Sequence, residues 1–276
     1  MKERIAFRKK VEEHLETLDQ EALAYNRNEY WMIFSVYEYL EYFSFEHRYW
    51  NTCIALPLAR GLHDGTYRKS TIIKNGDTYK KPYVIHCLHI CRMLANLHMA
   101  LSDEDKDILL SAALCHDMIE DLDFDNGGRE LIDNYGLDPR IYEVVKLVTK
   151  RKDFTEEEEI AHFRMIQENP LALLVKLADR SNNVEDMYNM SSKKIHEYVG
   201  ETERFILPMC EYGFEHYPEL AGPIGVLKEK ITCLTKAALL MTDRYEAREK
   251  ELHNELNALR VENKKLFETL NELWER

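Results

Sequence analysis

Helix breakers are scarce in this chain: ten glycines and seven prolines punctuate 276 residues, and alternation with a period of two is hard to find beyond a few positions. Such a sequence has few places to turn or pleat, so helices packed on helices are the expected architecture. Starts are signalled at Ser102 before "DEDKDILL", at Asp138 before Pro139 and at Asn169 before Pro170, each a cap residue followed by an acid or a first-turn proline. Residues 1–50 read as two helices. The second, "EYWMIFSVYEYLEYFSFEHRYW", is aromatic and is expected to dock on the core by its rings. The irregular part is "STIIKNGDTYKKP", where glycine, asparagine and proline together read as an exposed loop, and helices resume at Tyr83.

Hydrophobic residues make up 45% of the chain, enough to bury a sizeable core. The 37 basic and 50 acidic residues leave a net charge of −13 with no basic block, which argues against general nucleic-acid binding. No apolar run approaches the length of a bilayer span, and the charged opening "MKERIAFRKKVEEHLETL" lacks the apolar core of a signal peptide. A cytoplasmic location is the expectation. The six cysteines include no CxxC pair and read as reduced structural thiols. Cys87 and Cys91, one helical turn apart, could ligate zinc if two more ligands converged on them, but their neighbours suggest helix packing.

From about residue 245 the chain is highly charged and free of glycine and proline. Leu252, Leu256, Leu259, Asn263, Leu266, Leu270 and Leu273 alternate steps of four and three, the a/d spacing of a coiled coil. Asn263 falls at a single a position, where asparagine commonly fixes the register of a parallel pair, so a homodimer is expected. The alternative is a helix folded back on its own domain.

Charge is out of place in "SAALCHDMIED", residues 111–121. The run Ile108, Leu109, Leu110, Ala112, Ala113 and Leu114 reads as a helix covered on most sides, yet His116, Asp117, Glu120 and Asp121 follow at once. An ionised carboxylate there is costly unless compensated. On one helix, Glu120 lies four residues after His116 and three after Asp117, and Asp121 four after Asp117, so all four can project to one side. His86 opens another apolar helix, "YVIHCLHICRMLANL", and Asp179 ends a third apolar run in "NPLALLVKLADRSNN". Two imidazoles and two carboxylates from three helices suit a divalent metal such as manganese, iron or zinc.

The order His86, His116-Asp117, Asp179 resembles the HD phosphohydrolase superfamily. The segments "ALPLARGLHDGTYRKS", "PYVIH", "ALCHDMIED", "VKLVTK" and "LVKLADRSNN" are similar, in this order, to guanosine tetraphosphate and pentaphosphate hydrolases of the RelA/SpoT type, over about residues 51 to 190. This resemblance implies an HD-domain helical bundle, which with the C-terminal coiled-coil helix read from the leucine seam makes an all-α fold. It implies that His86, His116, Asp117 and Asp179 bind the metal, Mn2+ or another divalent ion. It implies further that Glu120 and Asp121 position or activate the attacking water, and that Arg68, Lys69, Asn183 and Asp186 lie at the nucleotide. The chain is then organised as an N-terminal helical extension (1–50), an HD-type hydrolase domain (51–200), a helical continuation (201–244) and the coil (245–276).

The chain departs from the family's pattern in places. The insertion "TIIKNGDTYK" before His86 is expected to reshape the mouth of the pocket, and the family's HP dipeptide is His86-Cys87 here. Asp186 stands where the family commonly has threonine: it could accept bonds from a guanine edge, but it adds negative charge near an anionic substrate. The expected activity is removal of the 3′-pyrophosphate from guanosine tetra- or pentaphosphate. Two alternatives stay open: an HD phosphohydrolase acting on another nucleotide or phosphate ester, and a coiled-coil dimer whose helical domain binds a ligand without turnover.

Overall fold

The computed structural model describes residues 20–63, 65–74, 77–121, 128–151, 153–187 and 190–274. Its elements run α1 (Gln20–His47), α2 (Trp50–Leu62), β1 (Tyr67–Lys74), β2 (Asp77–Pro82), α3 (Val84–Asn96), α4 (Asp103–Cys115) and α5 (Met118–Asp121). They continue with α6 (Glu130–Asp133), α7 (Pro139–Val148), α8 (Glu156–Gln167), α9 (Pro170–Glu185), α10 (Ser192–Glu201), α11 (Leu207–His216) and α12 (Ala221–Trp274). Among the described residues the fold is all-α apart from one small ribbon. Of the two helices expected in residues 1–50, residues 1–19 lie outside the described residues and the aromatic one is α1.

The central element is α4. Every residue from Asp107 to Cys115 is buried, and α2, α3, α7 and α9 pack around it. The three helix starts read from the sequence are capped: Ser102 accepts from the Asp105 amide, Asp138 from the Arg140 amide, and Asn169 from the Leu171 and Ala172 amides. Asp107 is a buried carboxylate with its partners supplied. It accepts from the amides of Asn51 and Thr52 and from the Thr52 hydroxyl at 2.7–3.0 Å, so it closes the start of α2 while α2 packs on α4.

Two elements differ from expectation. The aromatic helix α1 docks with Ile33, Val36, Tyr37 and Leu40, whereas Trp31, Tyr42 and Phe45 stay exposed; one stripe of a helix cannot bury rings on every side. The expected loop is an antiparallel β-ribbon. Its register pairs Thr71 with Lys80, Ile72 with Tyr79, Ile73 with Thr78 and Lys74 with Asp77, with an irregularity between Tyr67 and Thr71. The sequence between the paired Lys74 and Asp77 is Asn-Gly, a hairpin signal that the polar flanks obscured.

At the other end, α12 runs for 54 residues. Ile224, Leu227 and Ile231 are buried in the main core, and Leu234, Ala238 and Leu239 pack on a smaller cluster of Val184, Met187, Ile195 and Val199. Thr242 is the last buried residue among its described side chains. Beyond it every described side chain is exposed, including Leu252, Leu256, Leu259, Leu266 and Leu270 of the seam. The described seam therefore does not fold back on its own domain; the Leu273 side chain lies outside the described residues. No helix among the described residues is long and apolar enough to cross a membrane.

Candidate metal centre

The first turn of α3, the end of α4 and the last turns of α9 meet at one point. Nε2 of His86 lies 3.4 Å from Asp117 Oδ2 and 3.3 Å from Asp179 Oδ1, and Nε2 of His116 lies 2.9 Å from Asp117 Oδ2 and 3.8 Å from Asp179 Oδ1. The structure brings together all four residues singled out in the sequence. The backbone does so in a way the spacing alone did not suggest. Helix α4 stops at Cys115, His116 and Asp117 form a turn, and α5 begins at Met118. On an unbroken helix, adjacent side chains diverge by about 100°. In the turn these two neighbours face the same point.

Each imidazole is oriented by its other nitrogen. Nδ1–H of His86 donates to Asn182 Oδ1 at 2.6 Å, and Nδ1–H of His116 donates to the Ala113 carbonyl at 2.9 Å. Both Nε2 lone pairs are thereby left for the cleft, the arrangement that tied-back metal-binding histidines show. Nε2 of His116 is buried and makes no hydrogen bond. Ligand atoms of His86, His116 and Asp179 all lie within 4.8 Å of one another, and so do those of Cys87, His116 and Asp117. Two imidazole nitrogens and two carboxylates converging on one point fit a divalent cation. Cys91 is buried in the core with its thiol pushed up by burial, which leaves helix packing as its role.

The two aspartates set the electrostatics of the cluster. Burial alone would lower His116, but the charges of Asp117 and Asp179 override it and raise its pKa to about 9. Burial would likewise raise both carboxyls. His116 and His86 hold Asp117 well below the usual range, and Lys176 together with the two histidines does the same for Asp179. Both acids are ionised, and the cleft attracts a cation.

Around the cluster runs a polar rim. Asn183 Nδ2 donates to Asp179 Oδ1 at 2.5 Å, and Arg68 Nη2 donates to Asn183 Oδ1 at 2.6 Å. Asp186, at the end of α9, lies 3.8 Å from Arg68 and accepts from Lys81 Nζ at 3.0 Å. Arg68, Asn183 and Asp186 are thus brought together beside a metal-ligand candidate, while the Lys69 side chain lies outside the described residues. The two basic partners neutralise Asp186. Glu120 is an exposed residue of α5, and the Asp121 side chain lies outside the described residues.

Three contributors escaped the sequence reading. Tyr83 Oη donates to Asp117 Oδ2 at 2.5 Å, its ring stacked on His63. Lys176 holds the other oxygen of Asp179 at 3.3 Å. Lys81 pins Asp186. The "PYVIH" stretch held a signal for Tyr83, three residues before His86; Lys176 and Lys81 are ordinary lysines until the fold places them.

Residues 83–183 match the HD domain family. Among curated proteins the chain is similar to the guanosine-3′,5′-bis(diphosphate) 3′-pyrophosphohydrolases of Aquifex aeolicus (31% identical over 145 residues, 50% of this chain), Haemophilus influenzae (27% over 166 residues, 58%) and Vibrio cholerae (28% over 167 residues, 55%). It spans 19%, 22% and 20% of their respective lengths, about a fifth of each.

Proposed function

We propose that this chain, which carries an HD domain over residues 83–183, is a Mn2+-dependent pyrophosphohydrolase that removes the 3′-pyrophosphate of guanosine tetra- and pentaphosphate. The observation that carries the proposal is the contiguity of the two-histidine, two-aspartate cluster with the Asn183–Arg68–Asp186 rim. The relatives' printed activity supports it.

In this proposal His86, His116, Asp117 and Asp179 hold the metal. A divalent ion there supplies Lewis acidity to a phosphoryl oxygen and lowers the pKa of bound water. Glu120 and Asp121, following the cluster on α5, accept the proton as water attacks the phosphorus on O3′. The P–O3′ bond breaks, the departing O3′ takes that proton to become the ribose hydroxyl, and pyrophosphate is released with guanosine diphosphate, or with guanosine triphosphate from the pentaphosphate. Arg68 stacks on the purine, Lys69 meets phosphate charge, and Asn183 and Asp186 meet the guanine edge. The proposal also includes a homodimer through the exposed seam of α12 and a cytoplasmic location, where free thiols such as the six here persist.

The test is incubation of the purified full chain with Mn2+ and guanosine tetraphosphate, beside a panel of other nucleotides and phosphate esters, with products resolved by anion-exchange chromatography. Guanosine diphosphate and pyrophosphate are the expected products, lost on chelation. Turnover of another panel member alone would move the substrate assignment. Metal binding without turnover of anything would favour a ligand-binding module.

A further inference from the structure

Behind the metal cluster, on the far side of Asn182, the helices α1, α3, α9 and α12 leave a groove of about 690 Å³. That is within the usual size of small-molecule sites. Val36 and Leu227 give it an apolar floor, and Met93 and Val226 extend it. Its rim is polar: Tyr39, whose hydroxyl donates to Asn96 at 3.0 Å, then Arg92, His89, Glu185 and Lys230. Arg92 is exposed and makes no ion pair among the described residues, and Lys230 pairs with Glu185. Nε2 of His89 is buried without a hydrogen-bond partner. Burial lowers the His89 pKa to about 4, so its ring adds no charge at neutral pH. Two cations against one carboxylate, above an apolar floor, select an anion with an organic body.

The groove is wired to the cluster by one side chain. Asn182 lines it, donates from Nδ2 to Glu185 Oε2 at 3.3 Å, and accepts from His86 Nδ1–H at 2.6 Å. Glu185 in turn holds Lys230. An anion that draws Lys230 toward itself alters the pairing of Glu185, and with it the amide that orients His86. We infer that this groove is a second binding site, for a small organic anion of mononucleotide size, whose occupancy is transmitted to the metal cluster through Glu185 and Asn182. The transmission rests on the metal-binding role proposed for His86; the binding does not.

Calorimetric titration of the metal-free full chain with guanosine 5′-monophosphate tests it, with guanosine and inorganic phosphate as separate arms. Binding of the monophosphate is expected, with guanosine and phosphate each at least about tenfold weaker. Arg92→Glu, and Val226→Trp from an exposed position that fills the groove, should each weaken it about tenfold or more, while Arg68→Ala leaves it unchanged. Saturation with the monophosphate should shift Mn2+ affinity about fivefold or more, and Glu185→Gln should remove the shift. No heat at about 5 mM probe, or loss in Arg68→Ala with Arg92→Glu unaffected, overturns the site. Equal affinity for guanosine or for phosphate alone overturns the organic-anion assignment, and binding with Mn2+ affinity unmoved overturns the transmission. None of these readouts needs turnover, so an absent hydrolase activity leaves the groove standing or falling separately.

Discussion

His116 and Asp117 show how much one backbone turn decides. They are neighbours in sequence, they lie in the turn between α4 and α5, and their Nε2 and Oδ2 stand 2.9 Å apart. Without metal, the two aspartates keep a proton on His116 up to about pH 9. A ligand imidazole must be neutral, so metal has to displace that proton at lower pH. Mn2+ affinity should rise roughly tenfold per pH unit from near 7 toward 9 and then level, with about one proton released per ion. Calorimetry in buffers of different ionisation enthalpy measures this, and a flat profile between pH 7 and 8 would remove His116 from the ligand set. Tyr83→Phe, which takes the hydrogen bond from Asp117, should weaken the metal about tenfold without abolishing it, whereas Asp117→Ala should abolish stoichiometric binding. Chelator competition ranks the two, and equal effects would contradict their separate roles. Glu120→Gln and Asp121→Asn should keep the metal and lose turnover by roughly a hundredfold or more; unchanged rates in both would move the proton acceptor elsewhere. The four central residues were legible because charge stood inside apolar helices. Tyr83 and Lys176 were not, because a tyrosine or lysine at a helix edge violates no pattern.

At the scale of elements, the ribbon matters most to the mouth of the site. Arg68 and Lys81 sit near its open end, one on each strand, where Tyr67 pairs with Pro82. Both reach the end of α9, Arg68 to Asn183 and both to Asp186. Asp186, whose negative charge stands near the site expected for an anionic substrate, also ties the ribbon to α9. Lys81→Met should therefore raise KM for guanosine tetraphosphate severalfold, about 3- to 10-fold, with kcat within about a factor of two, since it loosens binding and leaves the cluster intact. Steady-state kinetics separates the two parameters. A fall in kcat with KM unchanged would show that the ribbon serves the chemical step instead. The helices were legible because caps and apolar periodicity announce them, as Ser102, Asp138 and Asn169 did. The ribbon was not: "YRKSTIIKNGDTYKKP" has no clean alternation, and its pairing comes from backbone hydrogen bonds that polar strands form equally well.

For the whole molecule, the open question is what the end of α12 meets. Residues 243–274 extend about 48 Å at 1.5 Å per residue. A lone helix of that length holding a row of half-exposed leucines is marginal in water, and a matching seam would cover it. A second copy in parallel fits best. Asn263 then faces Asn263 of the other copy and the two amides can hydrogen-bond, whereas in an antiparallel pair each would face a leucine d position. Glu255 at g and Arg260 at e of the next heptad attract across a parallel seam. The full-length chain should therefore scatter light as a dimer at micromolar concentration, and truncation after residue 244 should give a monomer that still binds metal, because every ligand candidate lies upstream. Asn263→Ile should tighten association and loosen its specificity, admitting trimers or tetramers. A monomeric full-length chain would mean that the seam awaits a different protein, and a truncated chain that stays dimeric would place the interface on the helical domain.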